Sequence, residues 1–119
     1  MSDVLIVEDN EDTRIVLAYL LKAEGHTVCA VGSVRLAIEE ALLACYDVLI
    51  SDISLPDGDG WELIKELRRS GNTMRGIAMS GHCSARDIEK SLASGFQHHL
   101  HKPVDFDEIK LVMQINIAT

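Results

Sequence analysis

Two short runs of this chain are apolar at nearly every position, and this constrains the fold more than any other feature. They are Asp3–Val7 (DVLIV) and residues 48–51 (VLIS). A strand with one wet face alternates polar and apolar residues. A run that is apolar throughout needs cover on both faces. Segments with helical spacing lie between the strand-like runs. After Asn10, a good N-cap, Val16, Leu17, Leu20 and Leu21 share a face before Gly25 ends the pattern. Residues 26–31 (HTVCAV) read as a second strand. Ser33 caps a second helix with Ala37, Ile38, Ala41 and Leu42 on its apolar side. After 48–51 comes SDISLPDGDG, a loop rich in turn formers, and then a helix over 61–69 with Leu63, Ile64 and Leu67 inward. A strand over 76–80 (GIAMS) precedes a helix over 85–94 that Gly95 stops. A more polar strand over 97–101 leads to a last helix over 105–117, with Ile109, Val112 and Met113 inside. Strand and helix alternate throughout, which predicts an α/β domain: a doubly wound five-stranded parallel sheet, (βα)5.

The whole chain, 1–119, fits one domain. Hydrophobic residues make up 47% and aromatics only 4%, so the core is aliphatic. Eleven basic against 19 acidic residues give −8, which disfavours direct binding to nucleic acid or anionic membrane. Cys29, Cys45 and Cys83 have no metal-type spacing and read as reduced thiols. The N-terminus, MSDVLIVED, has two acids where a signal peptide needs an apolar stretch. The longest apolar run, 15–21, is too short to span a bilayer. These features point to a cytoplasmic location.

Open α/β sheets place their working sites at the carboxyl ends of the strands. Glu8 and Asp9 follow the first strand, Asp52 the third, Ser80 ends the fourth, and Lys102 with Pro103 follows the fifth. Each has an ordinary structural explanation: a helix N-terminus for the acids, a cap for the aspartate, a turn for the serine, a solvated surface for the lysine. Their convergence on one sheet edge is harder to explain that way. Clustered carboxylates call for a cation, and an all-oxygen set suits a hard ion such as Mg2+. Beside such an ion Asp52 can act as a nucleophile on phosphorus, and Lys102 can neutralise charge on the phosphoryl oxygens. The Ser80 hydroxyl can bond one of those oxygens.

The sequence resembles the receiver domain of two-component response regulators over essentially its whole length. The resemblance is carried by IVEDN with Glu8 and Asp9, by SDISLPDGDGWEL with Asp52, Pro56 and Gly60, by AMSGH with Ser80, and by HLHKPV with Lys102 and Pro103. It implies the flavodoxin-like strand order 2-1-3-4-5. It implies Mg2+ bound by Glu8, Asp9, Asp52 and the backbone carbonyl of Ser54, and a cis Lys102–Pro103 peptide. Asp52 would take its phosphoryl group from the phosphohistidine of a histidine kinase or a histidine phosphotransfer protein. The surface around the fourth and fifth βα units would then switch. Ser54 and His82 would flank the water that hydrolyses the acyl phosphate. The domain would catalyse only its own phosphorylation and dephosphorylation, and a phosphorylation-dependent homodimer is compatible with it. The wider context stays open between a free-standing regulator and the receiver of a hybrid sensor histidine kinase. Segments such as DIEKS and SGFQHHLHKPV lean slightly to the second.

One position departs from the pattern. The family usually carries Tyr or Phe three residues before the lysine, as a ring that turns when the Ser80-type hydroxyl moves. Here that switch position is His99, a polar ring, and the expectation is an output sensitive to pH. Strand alternation separates His99 and His101 from His98, which argues against a histidine metal site. Trp61 reads as a partly buried helix-start residue. Among other classes, an aspartate-nucleophile phosphatase of the haloacid dehalogenase type wants a second Asp where Ser54 stands. A flavin-binding module wants a Ser/Thr/Gly-rich phosphate loop where Glu8 and Asp9 stand. A degenerate receiver acting only by protein contact has no need of the intact acidic and basic set.

Overall fold

The computed structural model describes residues 2–81 and 83–114. In chain order the elements are β1 (Asp3–Val7), α1 (Glu11–Ala23), β2 (Thr27–Val31), α2 (Val34–Leu43), β3 (Val48–Asp52), β4 (Ser54–Leu55), β5 (Gly58–Asp59), α3 (Gly60–Arg69), β6 (Arg75–Ser80), α4 (Ala85–Ser94), β7 (His98–His101) and α5 (Phe106–Gln114). Five strands form one parallel sheet in the order β2-β1-β3-β6-β7. With the two-residue strands β4 and β5 set aside, this is the expected 2-1-3-4-5.

Strand alternation distributes the core. Leu5 and Val7 of β1, Leu49 of β3 and Ala78 of β6 point to one face, where they meet Ala37 of α2 and Leu63, Ile64 and Leu67 of α3. Val4, Ile6, Val48, Ile50, Ile77 and Met79 point to the other, against Leu17 and Leu21 of α1 and Ile109 and Val112 of α5. β1 and β3 are therefore buried on both faces, as their composition requires. Asn10, Ser33, Asp59 and Ser84 each accept a backbone amide in the first turn of the helix they precede. No helix among the described residues is long and apolar enough to cross a membrane.

Several boundaries and faces differ from expectation. SDISLPDGDG contains the short antiparallel hairpin β4–β5, with Ser54 opposite Asp59 and Leu55 opposite Gly58. Val16 and Leu42 are 56% and 77% exposed, not core. The inward stripe of α1 is the i, i+4 pair Leu17 and Leu21. On α2, Ala37 fills the contact with the sheet, and Leu42 turns away from it. Met113 is half-buried. The part of the last helix expected beyond Gln114 lies outside the described residues.

Candidate functional site

Every element end that reaches the carboxyl edge of the sheet is fastened by backbone bonds. The Glu8 amide donates to the Val31 carbonyl at 3.0 Å, which ties the end of β1 to β2. The Ile53 amide donates to Met79 and the Lys102 amide to Ser80, at 3.0 and 2.8 Å, which ties β3 to β6 and β6 to the residue after β7. The Gly60 amide donates to the Ile53 carbonyl at 2.7 Å, folding the start of α3 back onto the end of β3. A Cβ on Gly60 would sit 2.5 Å from the Asp52 carbonyl oxygen, so this approach requires glycine. The Lys102–Pro103 peptide is cis, as expected.

Glu8 and Asp52 are both buried, at 0% and 3% exposure, while Asp9 is exposed. Lys102 lies between the buried pair. Its Nζ is 2.8 Å from Glu8 Oε1, where it donates a hydrogen bond, and 2.6 Å from Asp52 Oδ1. The second contact is an ion pair, and Asp52 Oδ1 is buried with no other hydrogen-bond partner among the described residues. Glu8 is fully committed. Its Oε2 accepts the Asn10 amide at 3.1 Å, and its carbonyl accepts Arg14 Nη1 at 2.9 Å.

One ammonium serves two buried carboxylates, and their acidities split accordingly. Burial pushes Asp52 up to about 8; the neighbouring Glu8 adds to the rise and Lys102 opposes it. Burial also pushes Glu8 up, but hydrogen bonds from Asp52, Lys102 and Asn10 outweigh it and hold Glu8 below its ordinary value. Burial works against the charge on Lys102, yet its bonds to Asp52 and Glu8 raise it above the usual lysine value. Asp52 thus holds its proton more firmly than an ordinary aspartate, and a further cation at the site would weaken that hold.

One oxygen from each of Glu8, Asp9 and Asp52 lies within 4.8 Å of the others. Ligand oxygens around an octahedral Mg2+ stand about 3 to 4 Å apart, so the set needs little movement to close on such an ion. Three carboxylates share one ammonium here, an excess of negative charge that a hard cation would offset. The residues fit a divalent cation with oxygen ligands.

The structure thus brings together Glu8, Asp9, Asp52 and Lys102. Ser80 ends β6 half-buried, with its carbonyl bonded to Lys102. Ser54 begins β4, two residues beyond Asp52. His82 lies outside the described residues. His99 stands apart from the carboxylates: its Nδ1 is 2.7 Å from Ser91 Oγ in α4. His101 reaches the Gly81 carbonyl, and His98 lies where Arg75 acts on it. Arg14, which holds the Glu8 carbonyl, carries no motif that marks it, and Asn10 reads in sequence as a helix cap rather than as a partner of Glu8. Ser91 inside α4 carries none either.

The model of the response regulator receiver domain matches residues 4–114. An uncharacterised 14.6 kDa protein of Leptolyngbya boryana is 35% identical over 98% of this chain and 91% of its own length. The transcriptional regulatory protein PcoR of Escherichia coli is 35% identical over 92% of this chain, which spans 48% of PcoR. The structure of response regulator protein TrrA from Thermotoga maritima, in complex with Mg2+ and BeF, superposes with a TM-score of 0.84 at 25% identity, covering 96% of this chain and 97% of that one. Matching sheet order, matching sequence and the acid–lysine edge lead to one conclusion: this chain belongs to the response regulator receiver domain family.

Proposed function

We propose that Asp52 accepts a phosphoryl group from the phosphohistidine of a histidine kinase or histidine phosphotransfer protein. A carboxylate oxygen of Asp52 forms the new P–O bond as the P–N bond to the donor imidazole breaks. The imidazole keeps the bonding electrons and takes up a proton. Mg2+ would be held by Glu8, Asp9, Asp52 and the Ser54 carbonyl, and when bound it supplies charge neutralisation at the phosphoryl oxygens. The observation that carries this reading is the buried Asp52–Lys102–Glu8 contact beside Asp9.

This chain's own groups do the rest. Lys102 reaches Asp52 and can follow its charge onto the phosphoryl group. The Ser80 hydroxyl, at the end of β6, donates to a phosphoryl oxygen. Ser54 and His82 flank the water that later cleaves the acyl phosphate and so set its lifetime. Phosphorylation biases two states of the domain, with Ser80 and His99 as the switch pair. His99 in place of an aromatic makes the output pH-sensitive, a dependence that is lost in His99→Phe. The domain works in the cytoplasm through protein contacts, without touching nucleic acid or membrane. It serves as a phosphorelay receiver, free-standing or within a hybrid histidine kinase.

The test is incubation with a small phosphodonor and Mg2+, followed by intact-mass measurement. One added phosphoryl group is expected, absent with chelator and in Asp52→Asn. Modification that persists in Asp52→Asn would sink the assignment.

A further inference from the structure

His99 is half-buried and is held by a polar contact. Its Nδ1 is 2.7 Å from the hydroxyl of Ser91, a fully buried residue of α4. The same hydroxyl accepts the indole N–H of Trp61, the second residue of α3, at 2.9 Å. Three elements, β7, α4 and α3, therefore meet at one oxygen.

Both outer ends of this relay lead back to Asp52. On one side Trp61 follows Gly60, whose amide is bonded to the Ile53 carbonyl and whose Cα presses on the Asp52 backbone. On the other side His99 precedes Lys102 by three residues along β7, and Lys102 touches Asp52 directly. Ser91 closes a ring that begins and ends at the acceptor.

An indole nitrogen only donates, so Ser91 Oγ is an acceptor toward Trp61. The hydroxyl keeps its own proton and a second lone pair, so it can bond His99 Nδ1 in either tautomer of the ring. The other ring nitrogen, Nε2, is buried and meets no hydrogen-bond partner among the described residues. The contact with Ser91 is thus the hydrogen bond that holds the ring, and its loss would leave both ring nitrogens unsatisfied.

We propose that Ser91 is the positioning residue of the switch ring. It holds His99 against α4 through Nδ1 and joins it to Trp61, so that rearrangement at Asp52 is transmitted into the α3–α4 seam. The transmission half rests on the phosphoryl-acceptor reading. The positioning half does not.

Trp61 is the sole tryptophan of the chain, so its fluorescence reports on this part of the fold. The full chain, labelled with 15N-histidine, is examined by NMR at about pH 8, above the usual histidine range, with His99→Gln to assign the ring. The expected signature is a hydrogen-bonded His99 Nδ1 whose signal moves in Ser91→Ala and returns in Ser91→Thr, which restores the hydroxyl. Wild type, Ser91→Ala, Ser91→Thr and His99→Phe are then treated with a small phosphodonor and Mg2+, and phosphorylation is followed by intact mass. The Trp61 response should lose most of its amplitude in Ser91→Ala and His99→Phe at equal phosphorylation, and persist in Ser91→Thr. A His99 Nδ1 signal that Ser91→Ala leaves unchanged overturns the proposal. An undiminished Trp61 response in phosphorylated Ser91→Ala overturns it too, and His99→Phe, which keeps Ser91, decides the same point if Ser91→Ala does not fold. Failure of the wild type to take up phosphate refutes the acceptor chemistry instead, and leaves the positioning to stand or fall on the spectrum.

Discussion

Asp52 should make the cation-free protein lose stability as pH rises, and Asp52→Asn should abolish that loss. Its folded value, about 8, stands above the ordinary 3.8 of an aspartate. Between those two values the folded chain holds a proton that the unfolded chain has released. Stability is therefore greatest below about 4 and falls as pH rises toward 8, by at most about 1.4 kcal/mol per pH unit. From pH 5 to 8 the ceiling is about 4 kcal/mol, and local rearrangement around the pair reduces it to about 2 kcal/mol.

The other groups of the site do not confuse this window. Glu8 lies below its ordinary 4.5, so its stabilisation is lost only on acidification below that value. Lys102 is raised above 10.5, so its contribution is lost only at higher pH. His98, lowered from 6.5 by burial first and Arg75 second, has the opposite slope and is common to both proteins. The assay is urea unfolding with chelator at half-unit steps from pH 5 to 9, for wild type and Asp52→Asn. The advantage of the variant should grow with pH and level off above about 8. A difference independent of pH would show that Asp52 is already ionised in the folded chain, and would refute the one-cation, two-carboxylate account.

Three further outcomes follow from the same geometry. Gly60→Ala places a Cβ 2.5 Å from the Asp52 carbonyl; it should cost about 1–3 kcal/mol in denaturant unfolding and weaken Mg2+ binding measured by calorimetry. Lys102→Ala leaves Glu8 and Asp52 buried without their shared cation; because Lys102 is about one-third exposed, the loss should be about 1–3 kcal/mol, below the range for a fully buried pair, with phosphorylation slowed in the intact-mass assay. Mg2+ at a hundred times its dissociation constant should stabilise the folded chain by about 2.7 kcal/mol in thermal unfolding, an effect reversed by chelator and reduced at equal Mg2+ in Asp9→Asn.

The acceptor edge was readable from sequence because topology alone decides it. Runs such as DVLIV and VLIS can only be inner strands of a covered parallel sheet. Whatever follows them must arrive at the same edge, so Glu8, Asp9, Asp52 and Lys102 meet whatever the helices do. Helix faces were less legible, since one residue along a helix turns a side chain by about 100°. That is why Val16 and Leu42, apolar neighbours of core positions, ended in solvent. The hairpin β4–β5 was hidden in a stretch whose composition says only that the chain turns.

The contacts that join α3, α4 and β7 were not legible at all, and the cause is physical. Trp61 and Ser91 are separated by 30 positions, and their bond depends on how α3 and α4 lie against each other and against β7. No periodicity encodes a hydroxyl inside a helix that serves two partners at once. In sequence Ser91 is one polar residue of a mostly polar helix, and only its complete burial shows that it has a task. His99 was conspicuous only as the wrong ring in a known place. The structure gives that ring a polar partner: its Nδ1 meets the Ser91 hydroxyl, a contact that Phe could not make. The acceptor end is thus specified by strand order, which many sequences can satisfy. The contact between α3, α4 and β7 depends instead on particular side chains: Ser91 Oγ is the atom that joins His99 to Trp61, so a change at Ser91 alone would part the two.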